Sequence, residues 1–289
     1  MSKCNLCPRK CGIDREKEKG YCGVSDSVVV SKIMLHHGEE PVISGSKGSG
    51  AIFFSGCNLR CVYCQNGDIS SEQKGEIMTS ERIKKEMFAL KERGAHNINL
   101  VTAGHYAHKL IPILKEVKKD LAIPIVYNTS AYEDESVIKA LDGLVDVYLP
   151  DYKYAFSDLA QKYSGASDYP EVAQKAIAEM VRQKGKCVVK DGLIREGVII
   201  RHLVLPGAKD NGIAVMERIA SDFKGALVSI MRQYTPQFNR SQYKCLNRRI
   251  TSYEYDAILK RAVELGLDGF TQQKGCETAL LTPDFNQIY

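Results

Sequence analysis

Residues 56–66 read GCNLRCVYCQN and set three cysteines, Cys57, Cys61 and Cys64, in a C-x3-C-x2-C arrangement. A structural zinc site or an iron–sulfur cluster is normally closed by four protein ligands. Three thiolates on one loop therefore raise the question of what fills the fourth position. Zinc completed by a distant His or Cys is one answer, although the spacing is not the paired C-x2-C of zinc ribbons. A disulfide is a second answer, disfavoured in a reducing compartment. The third is a four-iron cluster with one iron free of protein. A small molecule then binds there, as substrate does at the open position of a catalytic zinc.

The loop follows an apolar run at 51–54, the first of a series. Further short β-branched runs at 97–101, 123–127, 145–149, 198–205, 226–231 and 269–271 predict buried parallel strands, and 28–35 predicts a strand ahead of them. Amphipathic stretches lie between. Ser80 can cap a helix carrying Ile83, Met87 and Leu90 on one face, stopped by Gly94. Pro170 suits the first turn of a helix that ends at Gly185, and Thr251 with Glu254 has capping-box spacing ahead of Ile258, Ala262 and Leu265. Pro112 either kinks the stretch 105–118 or marks a later start. Strand–helix repetition with right-handed crossovers gives an α/β fold, an incomplete barrel over residues 27–289 with its core from about 51. In such folds active sites sit at the C-terminal ends of the strands, where the three-cysteine loop falls.

Residues 1–26 are charged and poor in apolar residues, so they must fold around a metal or onto the barrel. They hold Cys4, Cys7, Cys11 and Cys22, four soft ligands that suit zinc or an iron–sulfur cluster equally. Cys187, Cys245 and Cys276 stand alone and read as buried core thiols.

The chain has 289 residues, 44% hydrophobic, with a net charge of +5 spread along its length, so nucleic acid is not indicated. MSKCNLCPRK lacks the apolar core of a signal peptide, and no apolar run approaches ~18 residues. A cytoplasmic protein without membrane attachment is expected. Ten cysteines there argue for metal or redox chemistry. SGSKGSG misses both the phosphate-loop and the dinucleotide patterns, and no H-E-x-x-H occurs.

Polar residues recur just past the strands. Thr102 follows the second barrel strand, Asn128 and Ser130 the third, and Asp151 and Lys153 the fourth. Gln233 and Tyr234 follow the strand ending at Met231, and Arg201 lies within its own strand, able to point inward. His105 and His108 have the spacing of a metal pair but read as a loop residue and a partly exposed helix residue.

The three-cysteine spacing, with Tyr63 before its last cysteine, resembles the signature of radical S-adenosylmethionine (SAM) enzymes. EEPVISGSKGSGAIFFSGCNLRCVYCQN, VDVYLPDYKY, RHLVLPG and MRQYTP together resemble the pyruvate formate-lyase activating enzyme branch of that superfamily. The resemblance implies a partial (β/α)6 barrel of the radical SAM type, a [4Fe-4S] cluster on Cys57, Cys61 and Cys64, and SAM on the open iron. It implies Tyr63 near the adenine, Asn128 and Ser130 near the amino-acid end or ribose, Lys153 on the carboxylate and Arg201 close by. It also implies an electron donor such as flavodoxin or ferredoxin, anaerobic chemistry and a glycyl radical enzyme as partner. One segment departs from the branch: NLVTAGHYAH has Gly104 alone where activating enzymes carry Gly-Gly-Glu against the SAM amino group. Thr102 and its backbone are the candidates to replace that contact. The extra clusters of some relatives lie elsewhere in the chain, so the metal of the N-terminal cysteines is not carried over.

Overall fold

The computed structural model describes residues 3–71, 74–278 and 282–289. In chain order the elements are β1 (Val29–His36), α1 (Pro41–Ser44), β2 (Ser49–Phe54), α2 (Gly67–Ser70), β3 (Glu76–Ile77), α3 (Ser80–Glu92), β4 (Ile98–Val101), α4 (Ala107–Leu121) and β5 (Ile125–Thr129). There follow α5 (Glu135–Ala140), β6 (Val147–Pro150), α6 (Ser157–Ser164), α7 (Tyr169–Lys184), β7 (Val188–Lys190), β8 (Leu193–Leu203), α8 (Lys209–Asp222), β9 (Leu227–Met231), α9 (Ser252–Glu264) and β10 (Gly269–Thr271). The sheet order is β3-β1-β2-β4-β5-β6-β8-β9-β10, with β7 paired to β8 as a hairpin. From β2 to β10 every neighbouring pair is parallel, whereas β1 runs antiparallel to both β2 and β3. The two ends of this path do not pair, so the barrel is open, as expected.

Local chemistry explains most boundaries. Thr251 and Glu254 form the reciprocal capping box of α9, and Pro170 sits in the first turn of α7. The cap of α3 is Thr79, one residue before Ser80: its hydroxyl accepts the Arg82 N–H, and its extended backbone leaves Ser80 already helical. Pro112 does not delay α4, which begins at Ala107 after a 3-10 turn at Gly104–Tyr106 and runs through the proline. β8 starts earlier than its apolar run, because its first residues pair with β7. β10 is in place but largely exposed, so it is not the buried strand its residues suggest.

Alternation along the strands sorts the core into two faces. Leu100, Tyr127 and Tyr148 point outward and pack under the helices with Leu110, Leu114, Ile138 and Met180. Each such fully buried side chain contributes about 1.5–3 kcal/mol. Val126, Val147, Leu149 and Ile199 point inward and close around Ile43 of α1, which plugs the interior from below. No described helix is long and apolar enough to cross a membrane.

Residues 3–26 contain no helix or strand, yet they are not loose. Cys22 and Val24 are buried in the outer core, and Cys57 donates its N–H to the Cys22 carbonyl at 3.1 Å.

Candidate active site

Two residues beyond the apolar layer, the same inward face becomes polar. Val126 is succeeded by Asn128, Leu149 by Asp151, and Ile199 by Arg201, all at the C-terminal ends of β5, β6 and β8. Strand register brings them together, since Asp151 bridges to Arg201 and Asn128 stands opposite Leu149. The Arg201 guanidinium then reaches Asp151 at 2.9 Å, Asn128 at 2.6 Å and Glu39 at 3.0 Å. Lys153 Nζ lies 2.6 Å from Asp151. These side chains line one pocket, and Tyr63, Thr102, Ser130 and Gln233 line it as well. The polar strand-end residues Thr102, Asn128, Ser130, Asp151, Lys153, Arg201 and Gln233 thus line a common cavity, whereas Tyr234 is buried away from it.

Cys57, Cys61 and Cys64 line the same cavity, on the loop after β2. Their loop turns on Gly56 (φ 85°), where a Cβ would lie 2.7 Å from the Cys22 carbonyl, and on Arg60, held in the left-handed region at φ 60°. Thr102 and Ala131, at φ 60° and 59°, carry the same uncommon conformation at the rim. Non-glycine residues held so are costly and concentrate at functional sites. Donors already face the sulfurs: Ser164 Oγ reaches Cys61 Sγ at 3.0 Å, the Leu59 N–H reaches Cys57 Sγ at 3.4 Å, and Ser70 Oγ reaches Cys64 Sγ at 3.7 Å. Burial raises all three thiol pKa values, while Lys153 pulls each downward.

The donor set fits a cluster with an open iron. No further cysteine lines the pocket among the described residues, so three thiolates are what the cavity offers a cluster.

Charge in the cavity is nearly balanced. Burial works against the charged forms, but Asp151 and Glu39 hold Arg201 protonated, and Asp151 does the same for Lys153. Burial alone would raise the Asp151 pKa; Arg201 and Lys153 override it and lower the value. Glu40, buried behind Arg201, is shifted upward by desolvation, despite that cation. Two cations, Lys153 and Arg201, therefore share the cavity wall with the carboxylates of Asp151 and Glu39. A ligand bearing two positive groups and one carboxylate suits such a lining.

Three features escaped the sequence reading or differ from it, and one histidine pair falls as expected. Glu39 is a pocket residue that ties β4, β5 and β8 together through Asn99, Asn128 and Arg201. Glu133 lies beneath Gly104: it is bonded to Thr129, its other oxygen has no partner, and burial lifts its pKa to about 7. A Cβ on Gly104 would sit 2.2 Å from that carboxylate, which accounts for the glycine. His105 is buried against the Ser55 carbonyl and half-exposed His108 bonds Asp26, so the two do not form a metal pair. Cys187, Cys245 and Cys276 are half-buried rather than core, because each sits at a sheet edge or in a covering loop; Cys245 accepts or donates at 3.1 Å to Tyr163.

The N-terminal cysteines gather against this site. Burial raises Cys22, and the Cys11 and Cys4 thiols are near enough to add to the shift. Cys7 is pushed up to about 11 by burial, and the Arg9 N–H and the Asn58 side chain bond its sulfur.

Residues 51–219 match the Radical SAM superfamily. The uncharacterized protein MJ0674 of Methanocaldococcus jannaschii is 33% identical over 93% of this chain and 76% of its own. A second uncharacterized protein of that organism, MJ0808, is 24% identical over 72% of this chain and 62% of its own. Among solved structures, Streptococcus suis SuiB bound to precursor peptide SuiA aligns with TM-score 0.53 and 15% identity, over 77% of this chain and 48% of SuiB. This chain therefore spans about half the length of SuiB, and the likeness is one of fold.

Proposed function

The chain belongs to the radical SAM superfamily, and from that premise we propose that it abstracts hydrogen from a polypeptide partner, in the manner of an activating enzyme for glycyl radical proteins. The single observation behind this reading is the open barrel. The unpaired ends of the sheet leave a lateral approach to the cavity that a closed barrel would deny to a protein loop. SuiB, of like fold, binds a precursor peptide, which supports a peptide-sized donor.

Family membership implies a [4Fe-4S] cluster on Cys57, Cys61 and Cys64 with SAM at its open iron. Together, when bound, these supply reductive cleavage to a 5′-deoxyadenosyl radical. The chain's own residues bind and orient. Lys153, adjoining Asp151, holds the SAM carboxylate, with Arg201 behind it. Asp151 and Glu39 face the cationic groups, and Asn128 and Ser130 supply amide and hydroxyl partners for the ribose or the amino-acid end. Thr102 sits where the Gly-Gly-Glu contact would otherwise be. It lines the cavity, so its hydroxyl and the neighbouring carbonyls are the replacement. Tyr63 closes the adenine side, with its hydroxyl fixed by Tyr154 at 2.7 Å. No proton transfer by the protein is required. The N-terminal cysteines hold a second metal group, and a flavodoxin or ferredoxin supplies the electron.

The test is electron paramagnetic resonance after anaerobic incubation with SAM, dithionite and candidate glycyl radical proteins from the same cell. A doublet split by the remaining α-hydrogen supports the reading. SAM cleavage with every candidate radical-free removes the activating role and leaves the superfamily chemistry.

A further inference from the structure

Residues 282–289 follow β10 at one end of the sheet but lie against β1, beside its other end. The Ile33 N–H donates to the Ile288 carbonyl at 2.7 Å, on the stretch of β1 that β3 leaves uncovered. The Tyr289 hydroxyl anchors on α3, donating to Glu86 at 2.9 Å and accepting from Arg82 at 3.0 Å. Phe285 turns inward. It is buried with Ala51, Ile69 and Val101, and its ring meets Phe53 edge to face, the centroids 5.5 Å apart. Phe53 and Val101 line the cavity, and so does Pro283. The segment is therefore part of the cavity wall beside the open end of the sheet.

Lys32 makes this contact unusual. It is only 9% exposed, yet the nearest acceptor of its ammonium is the Gln287 carbonyl at 2.8 Å, with a main-chain oxygen of Tyr289 at 3.3 Å. Among the described residues no acidic side chain pairs with it. A buried ammonium is held more strongly by a carboxylate than by a carbonyl. Three features thus stand side by side: a main-chain N–H at Ile33, an aromatic seat on Phe53 and a buried cation. The chain's own segment fills them with one main-chain bond, one ring and two main-chain oxygens, and brings no negative side chain to the cation.

We propose that Ile33, Lys32 and the Phe53 seat form the docking surface for the partner polypeptide, and that residues 283–289 hold this place until the partner displaces them. The partner brings an extended segment with an aromatic side chain, followed two to four residues later by a carboxylate, the spacing at which Gln287 and Tyr289 follow Phe285. Its ring takes the Phe285 position, its main chain accepts from Ile33, and its carboxylate meets Lys32 in place of the carbonyl. Pro283 and Phe285 wall the cavity, so their departure opens it as the partner docks. The proposal rests on the hydrogen source being a polypeptide.

Two amidated, fluorescein-labelled peptides copying residues 282–289, one unchanged and one with Gln287→Glu, are titrated by anisotropy into the full-length protein and its Phe285→Ala variant. The acidic peptide is expected to bind the variant roughly tenfold more tightly than the parent, because the chain's own segment no longer competes. It should also outbind the unchanged peptide by roughly tenfold, and Lys32→Met added to Phe285→Ala should erase that preference. In the parent, which needs no substitution to fold, saturating acidic peptide should speed hydrogen exchange at 285–289 while Ile33 stays protected. Equal affinity for the two peptides in the variant overturns the carboxylate, and no gain over the parent, or unchanged exchange at 285–289, overturns the seat. Peptide bound only by a dimer, seen by sedimentation, assigns the seat to a second copy instead. Binding is read without SAM or reductant, so it is judged apart from the chemistry. Peptides bound as expected, with every candidate protein radical-free, support the seat and remove the glycyl radical role alone.

Discussion

Ser164 donates its hydroxyl to Cys61 Sγ at 3.0 Å, although 103 residues separate them. The serine closes α6, and Tyr154, itself bonded to Tyr63, orients its hydroxyl at 2.7 Å. A bond to a cluster thiolate stabilises the more negative, reduced state. Ser164→Ala is expected to lower the reduction potential of the barrel cluster by roughly 20–50 mV, the equivalent of about 1 kcal/mol for a one-electron couple. Redox titration monitored by paramagnetic resonance checks this, and an unchanged potential would show that the hydroxyl bonds elsewhere once the cluster is present.

Lys153 carries a different consequence. Its ammonium is shared between Asp151 and the cavity, and removing it leaves Asp151 still paired with Arg201. The fold therefore survives Lys153→Met, while a charged contact worth ~1.5–3 kcal/mol is lost from the SAM carboxylate. SAM binding is expected to weaken by roughly 10–100-fold with full iron content. Equilibrium dialysis with labelled SAM measures it; parental affinity in the variant would place the carboxylate elsewhere.

Glu133 makes stability depend on pH. Unfolded, its carboxyl releases its proton near 4.5; folded, near 7. The folded state thus binds more protons across that interval, and stability falls as pH rises from about 5 through 7 by on the order of 3 kcal/mol. Glu133→Gln keeps a hydrogen-bonding group for Thr129 and is expected to flatten this slope. Thermal melts of both proteins between pH 5 and 8 decide the matter, parallel curves being the unfavourable result.

Arg9 is the clamp between the N-terminal segment and the cysteine loop. Arg9→Ala strips donors from the four carbonyls it bridges and is expected to cost about 1–3 kcal/mol, toward the lower end because part of the contact is exposed. Faster oxygen-induced loss of iron from the barrel site should accompany this, followed by absorbance. An unaltered decay rate would mean that the loop holds its shape alone.

Sequence carried most of the barrel and the polar strand ends that line the cavity, for a physical reason. Strand ends recur at a fixed phase, so Thr102, Asn128, Asp151 and Arg201 could be placed at one rim by counting from apolar runs. Glu39 obeys no such count. It follows an antiparallel strand, and its partner Arg201 lies 162 residues away, so nothing local marks it as buried. Glu133 was hidden for the same reason, since only the packing of Gly104 against it reveals the pair. The short strands β3 and β7 are exposed and lack apolar periodicity; they form because a neighbour offers an edge. Thr79 and Ser80 are both competent caps, and the backbone at Thr79 decides between them.

An incomplete barrel must leave two sheet edges, and unpaired edges invite other chains to add strands. Here the terminal strands are β3, of two residues, and β10, of three. Each offers little backbone, Lys74 and Glu76 put charge beside the first, and on the part of β1 that β3 leaves uncovered the Ile288 carbonyl takes the Ile33 N–H. The molecule can keep its side open to a partner's loop and still resist stacking edge to edge with copies of itself.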